Sequence, residues 1–164
     1  AEFQGERVTI NLTAPHDLRL SEKVTTQAGV LEVSSINTGV PHAVVFVEDA
    51  DKAMVQPLGS ELRWHDHFKP RGTNVNFVQI IGPNQLRVRT YERGVEGETL
   101  ACGTGVTASA LVASRLHGFS SPIRIQVQGG DELSVSFQAD GQGGFNNVRL
   151  GGPASFVFEG RILI

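Results

Sequence analysis

The only cysteine of the chain, Cys102, lies in the segment Thr99 to Gly105, directly before two closely spaced glycines and a run of small apolar residues. This run predicts a helix from about Gly103 to His117, with the thiol at its N-terminus. Free backbone N–H groups and the positive end of the helix dipole favour a thiolate there and also bind a carboxylate. Cys102 is therefore a candidate functional thiol, and a small buried hydrophobic side chain is the alternative.

The same glycines permit a second interpretation, because Gly103 to Ala108 fits the dinucleotide-binding pattern G-x-G-x-x-A. That pattern normally follows the first strand of a βαβ unit, with an acidic residue about 20 positions later. Here it follows several predicted strands, and the nearest acids beyond the helix are Asp131 and Glu132. The match is therefore weak. His65 and His67 do not predict a metal site, because residues i and i+2 point to different faces of a helix.

Polar residues also mark the ends of three predicted strands. His42 begins the apolar run that ends at Val47, and Asn74 begins a second strand. Glu92 and Arg93 end a third. Such side chains, gathered around one helix N-terminus, can form a binding pocket, although solvated loop ends have the same appearance in a sequence. Taken alone, His42 is better interpreted as a structural turn residue than as a general base.

The elements that position these residues are mainly strands, since glycine is common (19 of 164 residues) and separates segments of alternating apolar and polar residues. The predicted strands are Val8 to Leu12, Val30 to Ile36, Ala43 to Val47, Val75 to Ile81, Leu86 to Tyr91, Ile123 to Val127, Leu133 to Phe137, Val148 to Leu150 and Phe156 to Ile164. A short amphipathic helix is predicted on the surface from about Leu58 to Phe68, with Trp64 and Phe68 on one face. The helix from Gly103 to His117 is apolar on every side, which predicts burial. We expect an α+β fold in which a mixed β-sheet curves into a barrel around this central helix.

Composition excludes several classes of partner. The chain carries 14 Lys and Arg against 17 Asp and Glu, a net charge of -3, so no basic surface for nucleic acid or anionic lipid is expected. No segment approaches the roughly 20 apolar residues of a membrane span. A single cysteine fits a reducing compartment, and we expect a cytoplasmic protein.

Four blocks of the sequence together resemble the diaminopimelate epimerases in order and spacing. The blocks are Gly39 to Val44, Thr73 to Val78, Tyr91 to Thr99 and Ala101 to Gly105. The resemblance implies a fold of two similar halves, each a sheet around a central helix, with one catalytic cysteine at each helix N-terminus and the substrate between them. This chain holds only the second cysteine. The resemblance therefore assigns residues 13–152 to the C-terminal epimerase domain, and residues 1–12 and 153–164 to strands that would complete the missing first domain.

The resemblance also implies an activity, the interconversion of LL-diaminopimelate and its meso form in lysine and cell-wall precursor biosynthesis, without pyridoxal phosphate, metal or other cofactor. Cys102 would be one of two acid–base residues, assisted by His42 and Glu92. The residues implied for substrate binding are Asn74, Glu92, Arg93, Gly103 and Thr104, the last two through backbone N–H groups. The chain departs from many family members at Val40, where they carry Asn.

Because two-base epimerisation needs a second acid–base group, other interpretations stay open. The chain can be a catalytically inactive fragment or binding domain of this fold, or a related isomerase, although the Glu92–Arg93 and Cys102–Thr104 blocks favour the epimerase. The implied partners are diaminopimelate and the missing N-terminal half or a full-length parent. Strand edges left without that half make a homodimer a further alternative.

Overall fold

The computed structural model describes residues 1–162. Its strands are β1 (Glu2–Gln4), β2 (Arg7–Asn11), β3 (His16–Thr26), β4 (Gly29–Asn37), β5 (Pro41–Phe46), β6 (Asn74–Gly82), β7 (Gln85–Glu92), β8 (Gly97–Thr99), β9 (Ile123–Val127), β10 (Glu132–Ala139) and β11 (Phe145–Pro153). Its α-helices are α1 (Val55–Trp64) and α2 (Gly103–His117), and short 3₁₀ helices span Ala50–Lys52 and Asp66–Phe68.

All these strands belong to a single sheet with the order β1-β2-β11-β10-β9-β7-β6-β5-β4-β3, and β8 pairs with β7. The β5–β6 and β7–β9 pairs are parallel and the others antiparallel, which confirms the mixed sheet. The sheet is not closed, so the expected barrel is only partly supported. Within residues 1–162 its two ends, β1 and β3, do not pair with each other. The edge strand β3 is kinked by positive φ angles at Asp17 and Ser21, and its register with β4 shifts twice, so it is a poor template for closure.

Helix α2 lies inside the curve of the sheet, and every residue from Gly105 to Ala113 is buried. The hydroxyls of Thr107 and Ser109 donate to the carbonyls of Gly103 and Gly105, each at 2.8 Å, so these buried polar groups have partners. Gly118 follows in the left-handed conformation (φ 68°) and ends the helix. The predicted bounds, burial and central position of this helix are confirmed.

Helix α1 packs on the opposite face of the sheet, where Val55, Leu58 and Leu62 join a second hydrophobic core. The helix spans Val55–Trp64 and not Leu58 to Phe68: it begins earlier than predicted, and it ends earlier because His65, with ψ 143°, leaves the helical conformation. Phe68 therefore belongs to a separate 3₁₀ helix and does not share a helix face with Trp64. The sheet between α1 and α2 is thus covered on both faces over its central strands.

The chain termini differ from the prediction. Strand β2 forms at the expected place and pairs with β1 and β11, but residues 154–162 contain no strand. Phe156 and Phe158 in this segment are 87% and 82% exposed, because no sheet lies beside them to bury a strand's apolar face. Leu163 and Ile164, the end of the predicted strand, lie outside the described residues. The assignment of the terminal segments to a first domain stays a prediction.

No helix among residues 1–162 combines the length and the apolar character needed to cross a bilayer.

Candidate active site

The Cys102 thiol sits at the N-terminus of α2, as the sequence predicts. Cys102 is the N-cap residue in an extended conformation, its carbonyl accepts the first helical hydrogen bond from Val106 N–H at 2.9 Å, and the residue is 8% exposed. Burial raises the pKa of the thiol, and the nearby Glu92 carboxylate also raises it. The Thr104 hydroxyl and the backbone N–H groups of Gly105 and Thr104 lower the same pKa without overcoming burial. The thiol therefore keeps its proton at neutral pH in this chain.

The two glycines beside the cysteine are explained by close packing. A Cβ on Gly105 would collide with the amide oxygen of Asn76 and would lie 3.3 Å from the Cys102 sulfur. A Cβ on Gly103 would lie 2.8 Å from the end of the Leu150 side chain. Glycine at both positions lets the first turn of α2 approach strands β6 and β11 closely, and it leaves the helix N-terminus uncovered by side chains.

His42 lies under the helix N-terminus and is fully buried. Its Nε2 atom is 2.9 Å from Thr104 Oγ1 and its Nδ1 atom is 3.2 Å from Asn76 Nδ2. Burial, assisted by the positive charge of Arg93, lowers the pKa of His42 from 6.5 to about 3. The imidazole is therefore neutral at physiological pH, and both of its nitrogens already have protein partners.

Asn74 and Arg93 meet because β5 and β6 are parallel neighbours and β7 runs antiparallel to β6. The Asn74 side chain donates to the Pro41 carbonyl at 2.9 Å and accepts from the Arg93 backbone N–H at 2.8 Å. Asn74 thus joins the start of β5 to the end of β7. The half-buried Arg93 guanidinium donates to the Arg71 carbonyl at 3.3 Å and keeps further N–H groups for a ligand.

Glu92 ends β7 and is held by the short strand β8. Its Oε2 atom accepts a hydrogen bond from the Thr99 hydroxyl at 3.0 Å, while Glu92 pairs with Gly97 in the ladder. Its negative charge raises the pKa of the Cys102 thiol, so the carboxylate lies near enough to the sulfur to influence it. The predicted residues thus meet in one place: Cys102, Gly103, Thr104, His42, Glu92, Asn74 and Arg93.

Sequence reasoning missed three residues that hold this arrangement. Asn76 and Thr90 are buried polar residues in the middle of β6 and β7, and Thr38 is buried after β4. Thr38 donates to the Thr104 carbonyl at 3.0 Å, and Thr90 donates to the Asn76 amide oxygen at 3.0 Å. The available signal was an amide within the otherwise apolar stretch from Val75 to Val78.

A polar cleft of about 260 Å³ opens beside this site, between β3 and β4 and the chain segment before β6. His42 and Thr73 reach its wall, together with the cationic residues Arg19, Lys69 and Arg71. Cys102 does not line this cleft.

The sequence matches known proteins over most of its length. A family model described as diaminopimelate epimerase matches residues 34–157. A diaminopimelate epimerase of Aquifex aeolicus is 46% identical over 96% of this chain and 55% of its own length. Another, of Methanocella arvoryzae, is 48% identical over 80% of this chain and 44% of its own length. The chain thus spans about half the length of these relatives.

Solved structures share the fold at low sequence identity. A probable proline racemase of Agrobacterium radiobacter superimposes with a TM-score of 0.69, at 20% identity, over 90% of this chain and 51% of that one. A PhzF-family phenazine biosynthesis protein of Bacillus anthracis gives a TM-score of 0.69 at 12% identity, covering 96% of this chain and 61% of that one. The sheet wrapped around a buried helix is therefore an architecture found in solved proteins.

Proposed function

Because this chain belongs to the diaminopimelate epimerase family, we propose that it supplies one of the two acid–base sides of an enzyme that inverts an α-carbon of diaminopimelate. The observation that carries the proposal is the placement of the single thiol, Cys102, at the N-terminus of a buried helix, close enough to Glu92 for that carboxylate to raise the pKa of the thiol. An amino-acid Cα–H bond is a very weak acid, so its cleavage needs a positioned base and stabilisation of the resulting negative charge.

The proposed reaction moves one proton off the α-carbon on one face and another proton onto it from the opposite face. In one direction a base outside this chain breaks the Cα–H bond, and the Cys102 S–H bond delivers its proton to the other face. In the reverse direction the Cys102 thiolate takes the proton. The raised pKa of the Cys102 thiol makes it the proton donor at rest. Acid–base groups of the protein carry this chemistry, without pyridoxal phosphate or metal.

The helix N-terminus supplies the stabilising charge. Backbone N–H groups in the first turn of α2, at Gly103 and Thr104, are without helical acceptors and bind the α-carboxylate, where negative charge accumulates as the proton leaves. The Arg93 guanidinium binds the distal carboxylate in a two-pronged contact. Asn74 positions Arg93 through its backbone, and its second amide N–H is available to the distal group.

A chain with one cysteine cannot run this two-thiol reaction by itself. We propose that a second polypeptide segment with the other acid–base group completes the site. The solitary thiol supports the alternative that this chain, taken alone, is a non-catalytic binding domain. A cytoplasmic setting fits both possibilities, since the thiol must stay reduced.

The test uses LL-diaminopimelate in deuterated water, with this chain alone and with a protein that joins it to the complementary half of the family fold. We expect inversion and deuterium incorporation only with the joined protein. In that protein Cys102→Ser reduces turnover by at least ~10²–10⁴, because a hydroxyl is too weak an acid for the exchange. Ser109→Ala, in the same buried helix, is the matched control. Inversion by this chain alone, or near-normal turnover in Cys102→Ser, refutes the proposal.

A further inference from the structure

Five side chains form a continuous series of hydrogen bonds that ends at the Cys102 sulfur. Thr90 Oγ1 lies 3.0 Å from Asn76 Oδ1, and Asn76 Nδ2 lies 3.2 Å from His42 Nδ1. His42 Nε2 lies 2.9 Å from Thr104 Oγ1, which lies 3.6 Å from Cys102 Sγ. The series runs through three strands before it reaches α2. Thr90, Asn76 and His42 are buried, and Thr104 is half-buried.

The direction of these bonds is fixed at Asn76. Its Nδ2 atom is also 2.8 Å from the Ala43 carbonyl, which can only accept. This contact assigns the nitrogen and oxygen of the Asn76 amide, and the Thr90 hydroxyl on the oxygen side agrees with the assignment. Asn76 therefore donates its second N–H to His42 Nδ1.

The donation from Asn76 selects one form of the imidazole. Nδ1 must carry a lone pair, so the proton of the neutral ring sits on Nε2. The Nε2–H group then donates to the oxygen of Thr104. In the other tautomer the Thr104 hydroxyl would donate to His42, and its lone pairs would face the sulfur.

We infer that Asn76, acting through His42, orients the Thr104 hydroxyl so that its proton is available to the Cys102 sulfur. A thiolate at Cys102 accepts this proton as a charge-assisted hydrogen bond, which is stronger than a bond between neutral groups. Thr38 supports the same geometry by donating to the Thr104 carbonyl at 3.0 Å. Asn76 and His42 are positioning residues in this arrangement, since neither reaches the sulfur. The catalytic meaning of this series rests on the proposed function, whereas its effect on the thiol does not.

The charged groups around the series favour a protonated thiol and a neutral imidazole. Glu92 on β7 acts directly on the thiol and raises its pKa. Arg93, after β7, acts on His42 and lowers its pKa, which keeps the ring neutral. The stabilisation of the thiolate then comes from uncharged donors, namely the Thr104 hydroxyl and the backbone N–H groups of Thr104 and Gly105.

The first experiment determines the tautomer of His42 by ¹⁵N NMR of the chain labelled at histidine. We expect a neutral ring with the proton on Nε2 between pH 5 and 8. In Asn76→Leu we expect this preference to weaken. A proton on Nδ1, or a charged ring at neutral pH, in the unsubstituted protein overturns the inference whether or not the variant folds.

The second experiment measures alkylation of the single cysteine by iodoacetamide at a fixed pH below the thiol pKa. Thr104→Val keeps the shape and removes the hydroxyl, and we expect the thiolate fraction to fall about tenfold, a pKa rise of about one unit. Because a more basic thiolate is also more nucleophilic, the rate falls by roughly three- to fourfold. Thr107→Val is the matched control, since its hydroxyl bonds to the Gly103 carbonyl in the same helix.

An alkylation rate in Thr104→Val that equals the rate of the unsubstituted protein overturns the inference. An equal loss of rate in Thr104→Val and Thr107→Val also overturns it, because that result marks a general effect of helix packing. Neither measurement uses diaminopimelate or turnover. Failure of the epimerase assay together with a positive thiol result therefore removes the proposed function and leaves the positioning of Cys102 intact.

Discussion

Alanine at Gly105 tests how closely the helix N-terminus is packed against β6. The new Cβ would collide with the amide oxygen of Asn76, a fully buried side chain with three hydrogen bonds at 2.8–3.2 Å. Forcing a methyl group into such a core costs ~1–3 kcal/mol. Displacing the amide also leaves the Thr90 hydroxyl without its buried partner, which costs a further ~1–3 kcal/mol.

The better helix propensity of alanine returns at most ~1 kcal/mol. We expect Gly105→Ala to lower the free energy of unfolding by about 3 kcal/mol and, for a chain of this size, the Tm by about 6–12 °C. Gly103→Ala is the matched control, since its Cβ meets only the flexible end of Leu150, at 2.8 Å. There we expect a change within ~1 kcal/mol, because the Leu150 side chain can move aside.

Urea denaturation monitored by circular dichroism measures both variants. The packing argument fails if Gly105→Ala is no less stable than Gly103→Ala. It also fails if Gly105→Ala is destabilised while the ¹⁵N signals of His42 stay unchanged, because a displaced Asn76 must release Nδ1.

Two further predictions concern His42 and Arg93. The pKa of His42 is about 3 in the folded chain and 6.5 without burial, so the unfolded state binds this proton more readily. The contribution of the neutral ring to the free energy of unfolding is therefore complete above pH 6.5 and falls by about 2 kcal/mol by pH 5. We expect urea titration to show that this loss is absent in His42→Gln. A pH dependence that is identical in both proteins contradicts the assigned burial effect. In the joined protein we expect Arg93→Lys to raise the KM for diaminopimelate several-fold with little change in kcat, because an ammonium cannot make the two-pronged contact. An unchanged KM would show that Arg93 does not bind the substrate.

The sequence predicts the part of this fold that depends on local pattern. Helix α2 was predicted with its observed bounds because small apolar residues surround it and Gly118 ends it. Strand β3 was missed because positive φ angles at Asp17 and Ser21 break its alternation, and its exposed edge carries few apolar residues. The strand predicted after Phe156 is absent from the described residues, because the apolar alternation there has no neighbouring strand to pair with.

The candidate site likewise contains residues that have a local sequence signal and residues whose role depends on how the strands pair. Cys102 could be found because a thiol before a helix has a recognisable local setting, and Glu92, Arg93 and Asn74 because they stand at strand ends. Asn76 and Thr90 could not be assigned a role from sequence, because their importance comes from register. The ladder places Asn76 opposite Thr90 on β7 and beside Val44 on β5, and only this pairing brings the amide beneath the helix.

Burial shifts the pKa values of the two titratable groups in this hydrogen-bond series, Cys102 and His42, in opposite directions, and this limits what they can do together. It raises the pKa of the Cys102 thiol and lowers that of His42, so at neutral pH the site holds S–H and neutral imidazole. A thiolate–imidazolium pair would need His42 to accept a proton at Nδ1, which Asn76 already occupies, and the ring pKa of about 3 keeps the imidazole unprotonated at neutral pH. His42 is therefore unsuited to remove the thiol proton. In the proposed reaction that proton leaves toward the substrate α-carbon, and the series from Thr90 to Thr104 holds a hydrogen-bond donor ready for the charge left behind.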